Sequence, residues 1–256
     1  YLMYIDTAMS DYWRALALPY EASLLALGGE LYVKKATVEY HASARLDDTL
    51  DVGMQSTRIG NSSCLFTAGI FCGDRLLISA ELVYVFADPA TQTSRPVPPA
   101  LRAIFEGFEA GADMAEVRTG DWNTLGRDAG RVRTEVFVHE QGIPAEIEAD
   151  VHDISARHAV LYNRLGMPIA AGRLLQQSPG VGRIGRMAVD RSVRGAQWGR
   201  QLLDALGAAA RARGDTEVQL HAQRSAEGFY RRAGFSVVGE PYEEAGIAHI
   251  AMAQRL

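Results

Sequence analysis

Between Pro89 and Gly111 the pattern of the chain changes, and that change constrains the fold more than any other feature of its 256 residues. Asp88-Pro89, Arg95-Pro96-Val97-Pro98-Pro99 and a short amphipathic segment, Leu101 to Phe108, separate two halves of different periodicity. Proline fixes its own φ and lacks an amide donor, so this cluster reads as a domain junction. A chain of this length can bury one large core or two ordinary ones. The change of period selects two, at 1-110 and 111-256.

In the first half Leu2, Ile5, Met9, Tyr12 and Trp13 recur at helical spacing, which predicts a helix from Leu2 to about Leu16, resumed from Tyr20 to Leu27. Four strand runs follow, Glu30 to Tyr40, Thr49 to Arg58, Ser63 to Cys72 and Leu76 to Ala87. Leu46-Asp47-Asp48, Gly60-Asn61 and Gly73-Asp74 supply the turns between them. One helix and a meander of long strands predict a helix laid across a curved antiparallel sheet, its apolar side covered by Val38, Val52, Phe66, Leu77 and Val83. Cys64 and Cys72 share a strand face by their even spacing, not a CxxC arrangement, and read as small core residues in a reducing compartment.

The second half alternates strand and helix. Its expected elements are a strand at Met114 to Arg118, a helix from Trp122 to about Phe137, and strands at His158 to Tyr162, Pro168 to Gln176 and Arg183 to Val189. A helix at Gly195 to Arg213, a strand at Val218 to Leu220, a short helix at Ala226 to Ala233 and closing strands at Phe235 to Val238 and Ala248 to Met252 complete it. The whole is an α+β two-domain chain.

Within this half the strand Arg186-Met187-Ala188-Val189 runs into Arg194-Gly195-Ala196-Gln197-Trp198-Gly199-Arg200. A strand, a glycine-punctuated basic turn and a helix start make a pyrophosphate grip, because glycine admits close backbone approach and a helix start offers unpaired amides at the positive end of its dipole. Helix capping and packing are the plain alternative for such glycines. A net charge of -5 gives no broad basic face, so nucleic acid is not an expected partner and the anion site is local. No apolar run approaches membrane-spanning length and no signal peptide is recognisable, so no membrane partner is expected and the cytoplasm is the expected compartment.

The first half resembles the hot-dog acyl-CoA thioesterases of the 4-hydroxybenzoyl-CoA and YbgC-like family over about Tyr1 to Phe108. The resemblance rests on Tyr1-Leu2-Met3-Tyr4-Ile5-Asp6-Thr7-Ala8, Tyr40-His41-Ala42-Ser43-Ala44-Arg45-Leu46-Asp47-Asp48 and Arg95-Pro96-Val97-Pro98. It implies a long helix against a curved sheet, acyl-CoA as substrate, and a cleft between two subunits of a homodimer or larger homo-oligomer. It also implies an essential Asp in a loop and strand ahead of Tyr1, so the hot-dog domain is expected to lack its first strand here. Asp6 is the candidate catalytic carboxylate within the chain, with a solvated helix residue as the alternative. Asn61, Ser62 and Ser63 either orient a thioester or simply form a turn, and Arg45 either solvates the sheet edge or attracts coenzyme A phosphates.

The second half resembles the GNAT acetyltransferases over about Asp113 to Leu256, through the Met187-Ala188-Val189 strand, the Arg194 to Gly199 turn and Phe229-Tyr230-Arg231-Arg232-Ala233-Gly234-Phe235. Arg133-Thr134-Glu135-Val136-Phe137-Val138-His139-Glu140-Gln141 and Tyr242-Glu243-Glu244-Ala245-Gly246-Ile247-Ala248-His249-Ile250 are similar to the ElaA-like branch. The resemblance implies acetyl-CoA as cosubstrate and a small-molecule amine as acceptor. The backbone of Met187, Ala188 and Val189 would hold the pantetheine arm, Arg194, Gly195, Ala196, Gln197, Trp198, Gly199 and Arg200 the pyrophosphate, and Tyr230 would protonate the departing thiolate. Gln197 departs from the motif, which places another glycine there.

Glu135, Glu140, Glu148, His152 and His158 compete as the base, with His152 set between Asp150 and Asp153, which would raise its basicity. Asp150-Val151-His152-Asp153 lacks paired ligand spacing, so no metal is expected. His221 and His249 are either satisfied core or cleft histidines, or, for His249, a group facing the acceptor amine. Together the two resemblances imply a bifunctional coenzyme A thioester enzyme, hydrolysing acyl-CoA in one half and N-acetylating an amine by direct transfer in the other. The alternatives are an acetyltransferase with a degenerate hot-dog dimerisation domain, and a non-catalytic acyl-CoA sensor.

Overall fold

The computed structural model describes residues 1–244 and 246–256 and divides into two compact units, Tyr1–Met114 and Ala115–Leu256. In the first, α1 (Leu2–Ala15) and α2 (Tyr20–Leu27) precede strands β1 (Glu30–Tyr40), β2 (Asp51–Ile59), β3 (Ser63–Cys72) and β4 (Arg75–Ala87), and α3 (Pro99–Glu109) follows. The strands form an antiparallel sheet in the order β1-β4-β3-β2.

The apolar spacing of α1 buries Ile5, Met9, Tyr12 and Trp13. Tyr12 meets Phe66 edge-on at 5.4 Å between ring centroids, and Phe66 meets Phe105 of α3 at 5.5 Å. The amphipathic segment inside the junction is therefore core, with Leu101, Ile104 and Phe105 all buried.

Phe66 and Leu77 are buried as expected, but Val83 is not on the helix side. It pairs with Lys35 and Leu65, on the face opposite the buried Leu82, Tyr84 and Phe86. The register between β3 and β4 shifts at Ile70/Phe71, so Leu77 and Ile78 are both buried and the alternation changes phase there. Counting by twos from Leu77 reaches Val83; the bulge moves the core to the even positions. Val38 and Val52 pair with the buried Ala80 and Ile70 yet are only partly covered.

The second unit is built on strands β5 (Ala115–Gly120), β6 (Arg157–Asn163), β7 (Pro168–Ser178), β8 (Val181–Val189) and β9 (Glu217–Gln223), with β10 (Ser236–Val237), β11 (Tyr242–Glu244) and β12 (Ile247–Arg255) beyond them. Among the described residues their order is β10-β12-β9-β8-β7-β6-β5, with β11 paired to β12. The helices are α4 (Trp122–Arg133), α5 (Ala145–Glu148), α6 (Trp198–Arg213) and α7 (Glu227–Arg232).

One sheet face packs Val160, Tyr162, Ala171 and Ala188 against Leu125, Ala129, Val132, Val136 and Phe137. The other receives α6, whose Leu202 and Leu206 crowd the backbone at Gly172. Two differences from the sequence reading bear on the site. The helix after Trp122 widens into a π-helix over Thr134–Glu140, and α6 begins at Trp198, leaving Gly195, Ala196 and Gln197 outside it.

Candidate active site

The site of the second unit begins where two parallel strands part. β8 and β9 pair only through Val181↔Glu217, Gly182↔Val218 and Arg183↔Gln219, although β8 continues to Val189 and β9 to Gln223. Beyond Arg183 the β9-facing edge of β8 has no ladder partner there, so backbone amides and carbonyls are available to an extended ligand. The register against β7 shifts between Ala171 and Arg173, and Arg186 adopts a left-handed φ of 52° at this bulge. Met187, Ala188 and Val189 lie just past it.

Past the strand, Asp190 caps a short turn by accepting from the Ser192 amide at 2.9 Å. Gly195 has φ 94° and Gln197 has φ 65°, so the chain passes through the left-handed region twice before α6. Glycine does this freely; a glutamine does it at a cost of about 1–2 kcal/mol. The position where the motif calls for glycine thus keeps a glycine-like backbone with another residue on it. The Arg200 and Gln201 amides are the first to donate back to the Gln197 carbonyl, so those of Gln197 and Gly199 lie in the helix's orphan first turn, at the positive end of its dipole. A Cβ at Gly199 would meet Val189 Cγ2 at 3.4 Å and Phe229 at 3.6 Å, so there the missing side chain serves open approach and no backbone requirement.

The two arginines of this turn already hold carboxylates. Arg194 forms a bidentate pair with Glu140, and Arg200 Nε donates to both Asp204 oxygens at 2.9 Å. The amides and the dipole, with arginine charge nearby, are what remain to meet a pyrophosphate.

Tyr230 is buried on α7, edge-on to Phe229 at 4.9 Å and Phe235 at 5.9 Å. Burial pushes its phenol up to about 12, so it stays a proton donor at neutral pH.

The proposed bases scatter. Arg133, itself buried, donates to Glu148 and to both Asp153 oxygens, and Arg173 donates to Asp150 and Asp153. Asp150 and Asp153 therefore face arginines and do not converge on the His152 ring; from His152, Asp150 accepts the backbone amide alone, and His152 is exposed. His158 is fully buried with Nε2 on the Asp153 carbonyl, and burial holds it below its ordinary pKa. Glu135 is exposed.

On the face that carries the π-helix, a polar row missed as a unit in the sequence crosses the sheet. Gln223 Nε2 donates to Gln141 Oε1 at 3.0 Å, Gln223 faces His249, His249 faces Tyr242 and stacks on it, and the Tyr242 hydroxyl bonds His221 Nδ1. In the sequence its members stand apart: Gln141 closes one ElaA-like segment, Tyr242 and His249 lie in another, and His221 falls in neither. Ala245, inside that matched segment, lies outside the described residues.

In the first unit Asp6 is exposed on α1; its backbone carbonyl accepts from the Ser10 hydroxyl at 3.3 Å, and its carboxylate has no hydrogen-bond or ion-pair partner among the described residues. Asn61 to Ser63 form a tied turn: Gly60 donates to the Ser63 carbonyl at 2.7 Å and Val97 to the Asn61 carbonyl at 2.7 Å. Arg45 is exposed, and its amide donates to Asp48. A groove of about 480 Å³ lies beside β2, lined by Tyr4, Thr7, Ala8, Asp11, Tyr12 and Met54 among others. Among the described residues no group of three or more His, Cys, Asp or Glu is placed to hold a metal, and no helix is long and apolar enough to cross a membrane.

Comparison with known proteins matches both units. A family model for the acetyltransferase (GNAT) domain covers residues 124–256 and one for the thioesterase superfamily covers residues 1–85. The chain is 39% identical over 127 residues to YjcF, an uncharacterized N-acetyltransferase of Bacillus subtilis, covering 49% of this chain and 89% of that protein. Over 87 residues it is 34% identical to the acyl-CoA thioester hydrolase YbgC of Escherichia coli, covering 34% of this chain and 65% of that hydrolase's length. The crystal structure of Escherichia coli ElaA superposes with a TM-score of 0.51 at 29% identity, over 56% of this chain and all of ElaA.

Proposed function

Because this chain belongs to the acetyltransferase (GNAT) family through residues 124–256 and carries a thioesterase-superfamily domain ahead of it, we propose that it is a bifunctional coenzyme A thioester enzyme. The second unit moves the acetyl group of acetyl-CoA directly to a small-molecule amine. The observation that carries this reading is the parting of β8 from β9 after Arg183 beside the Gly195 to Gly199 turn. Backbone groups of Met187, Ala188 and Val189 bind the pantetheine arm, and the turn's amides bind the pyrophosphate. Tyr230 protonates the departing thiolate, a step suited to a phenol that burial keeps protonated.

Calorimetric titration of the full chain with acetyl-CoA tests the placement. Gly199→Leu fills the approach to the turn while its backbone remains allowed, and is expected to weaken binding at least tenfold. Unchanged affinity would remove the turn from the site.

The first unit hydrolyses acyl-CoA, with Asp6 as the carboxylate it contributes and the cleft completed by a second copy. A second reading is favoured by the same region: β2 is a sheet-edge strand, the groove lies beside it, and Leu2, Met3 and Tyr4 are exposed. An open edge next to apolar side chains suits association, so this unit would assemble the enzyme without hydrolysis. Free acid released from a panel of acyl-CoA thioesters in the absence of amine, and lost in Asp6→Asn, supports hydrolysis; a dimer that releases none supports assembly alone.

A further inference from the structure

The π-helix face of the second unit holds a histidine at the point where the two strands separate. The last pair between β8 and β9 is Arg183↔Gln219. In parallel strands the next residue on the same face of β9 is His221, and it is exposed. His221 is thus the first side chain on this face of β9 that β8 no longer flanks.

Its ring is held from one side. Nδ1 bonds the hydroxyl of Tyr242, which reaches it from β11, and the two rings meet edge-on at 5.6 Å between centroids. Tyr242 is fixed in turn by stacking on His249 at 5.9 Å and 24°. The His249 Nδ1–H donates to the Ile247 carbonyl at 2.8 Å, since a carbonyl can only accept. These contacts span three strands and leave His221 Nε2 without a protein partner among the described residues.

The other candidate bases are committed or lie elsewhere. Glu148 pairs with buried Arg133, Glu140 pairs with Arg194, His158 is sealed in the core, and His152 and Glu135 stand on helical segments.

We propose that His221 Nε2 takes the proton from the acceptor amine, with Tyr242 as the positioning residue that orients the imidazole. The inference rests on the acetyl-transfer reading above. The amine nitrogen bonds to the acetyl carbonyl carbon as the C–S bond breaks; the sulfur takes the Tyr230 proton, the amine proton goes to His221, and solvent resets both groups. For Nε2 to accept, the neutral ring carries its proton on Nδ1 and donates it to the Tyr242 oxygen; the imidazolium keeps that same Nδ1–H donation, so one contact serves both forms.

The charged and titratable groups around His221 are Arg183 on β8, Glu244 and Tyr242 on β11, and His249 on β12. Partial burial, Arg183 and His249 outweigh Glu244 and hold His221 below its ordinary 6.5, leaving it neutral and able to accept a proton at pH 7.

The test measures acetyl transfer by the full chain to spermidine, tyramine, glucosamine and an alanine-terminated peptide, taking the best acceptor across pH 5 to 9. In His221→Gln, kcat/KM is expected to fall about 100-fold or more and the acid limb of the profile to disappear, with the acetyl-CoA dissociation constant within twofold of the parent. Tyr242→Phe is expected to lower kcat/KM about three- to tenfold and to move that limb. A His221→Gln protein that keeps both rate and acid limb overturns this inference and leaves acetyl transfer standing. A parent protein that binds acetyl-CoA yet acetylates none of the four overturns both.

Discussion

The Arg194 guanidinium is held at both ends: Nη1 and Nη2 donate to the Glu140 carboxylate at 2.7 and 2.6 Å, and Nε donates to the Val189 carbonyl at 2.9 Å. One side chain therefore joins the end of β8, the turn ahead of α6 and the end of the π-helix. The pair is partly exposed, so its own contribution to stability is small. Its consequence is electrostatic, because Glu140 places a negative charge beside the proposed pyrophosphate site. Arginine keeps that carboxylate below the usual range, so it is ionised at neutral pH.

Glu140→Gln should leave Arg194 in place and make the turn more positive. The coenzyme A dissociation constant is expected to stay equal or fall, whereas Arg194→Ala, which also frees Val189, should raise it about tenfold. Calorimetry on both variants decides this; equal weakening in the two would assign the pair an essential orienting role.

Gln197 is a site of removable strain. Its φ of 65° suits glycine, and relieving a left-handed conformation is worth about 1 kcal/mol. Gln197→Gly should raise the midpoint of thermal unfolding of the second unit by roughly 3 °C and should not weaken acetyl-CoA binding. A lower midpoint would mean that the glutamine side chain makes a compensating contact.

The arginine–carboxylate network of the second unit should behave as a buried charge assembly. Arg133→Met leaves Glu148 without its buried partner and Asp153 with Arg173 alone, and removing one partner of such a pair costs about 3–5 kcal/mol. Its pH dependence has a definite sign. Hydrogen bonds from Arg173, outweighing partial burial, hold Asp150 well below 3.8; at Asp153 burial opposes, but Arg133 and Arg173 prevail and the shift is again downward. A depressed folded pKa gives stability that is complete above 3.8 and drains as pH falls below it. Chemical denaturation between pH 2 and 6 should show this slope, reduced in Asp150→Asn.

Tyr230 gives the opposite limb. Its folded pKa is raised from 10.0 to about 12, so the unfolded chain ionises first and stability falls as pH rises through that interval. Tyr230→Phe should flatten the slope and lower kcat for acetyl transfer by about 100-fold or more, with the KM for acetyl-CoA little changed. Because the phenol stays protonated below pH 10, its ionisation should add no alkaline limb to the rate in that range.

The elements that periodicity reports were legible before the structure. α1 and α2 were found because their apolar residues repeat, and β1 and β3 because turn residues bound them. What local pattern does not carry was missed. A bulge opposite Ile70 reversed the faces of β4 and displaced Val83 from the core, a change set by pairing with another strand. The turn ahead of α6 was legible as a turn because glycines and arginines cluster in sequence, and its left-handed Gly195 and Gln197 precede the helix at Trp198. The row from Gln141 to His221 was not, since it joins a helix end to three strands and exists only once β9, β11 and β12 lie side by side. At His152 the converse holds: Asp150 and Asp153 flank it in sequence, yet both carboxylates turn inward to arginines.

The most direct measurement incubates the full chain with acetyl-CoA labelled in its acetyl group and the same set of amines, and follows labelled amide and labelled acetate separately by mass spectrometry. The account predicts amine-dependent labelled amide from the parent protein, at least 100-fold slower in Tyr230→Phe. Label that appears only as acetate, or an amide rate that Tyr230→Phe leaves intact, would contradict it.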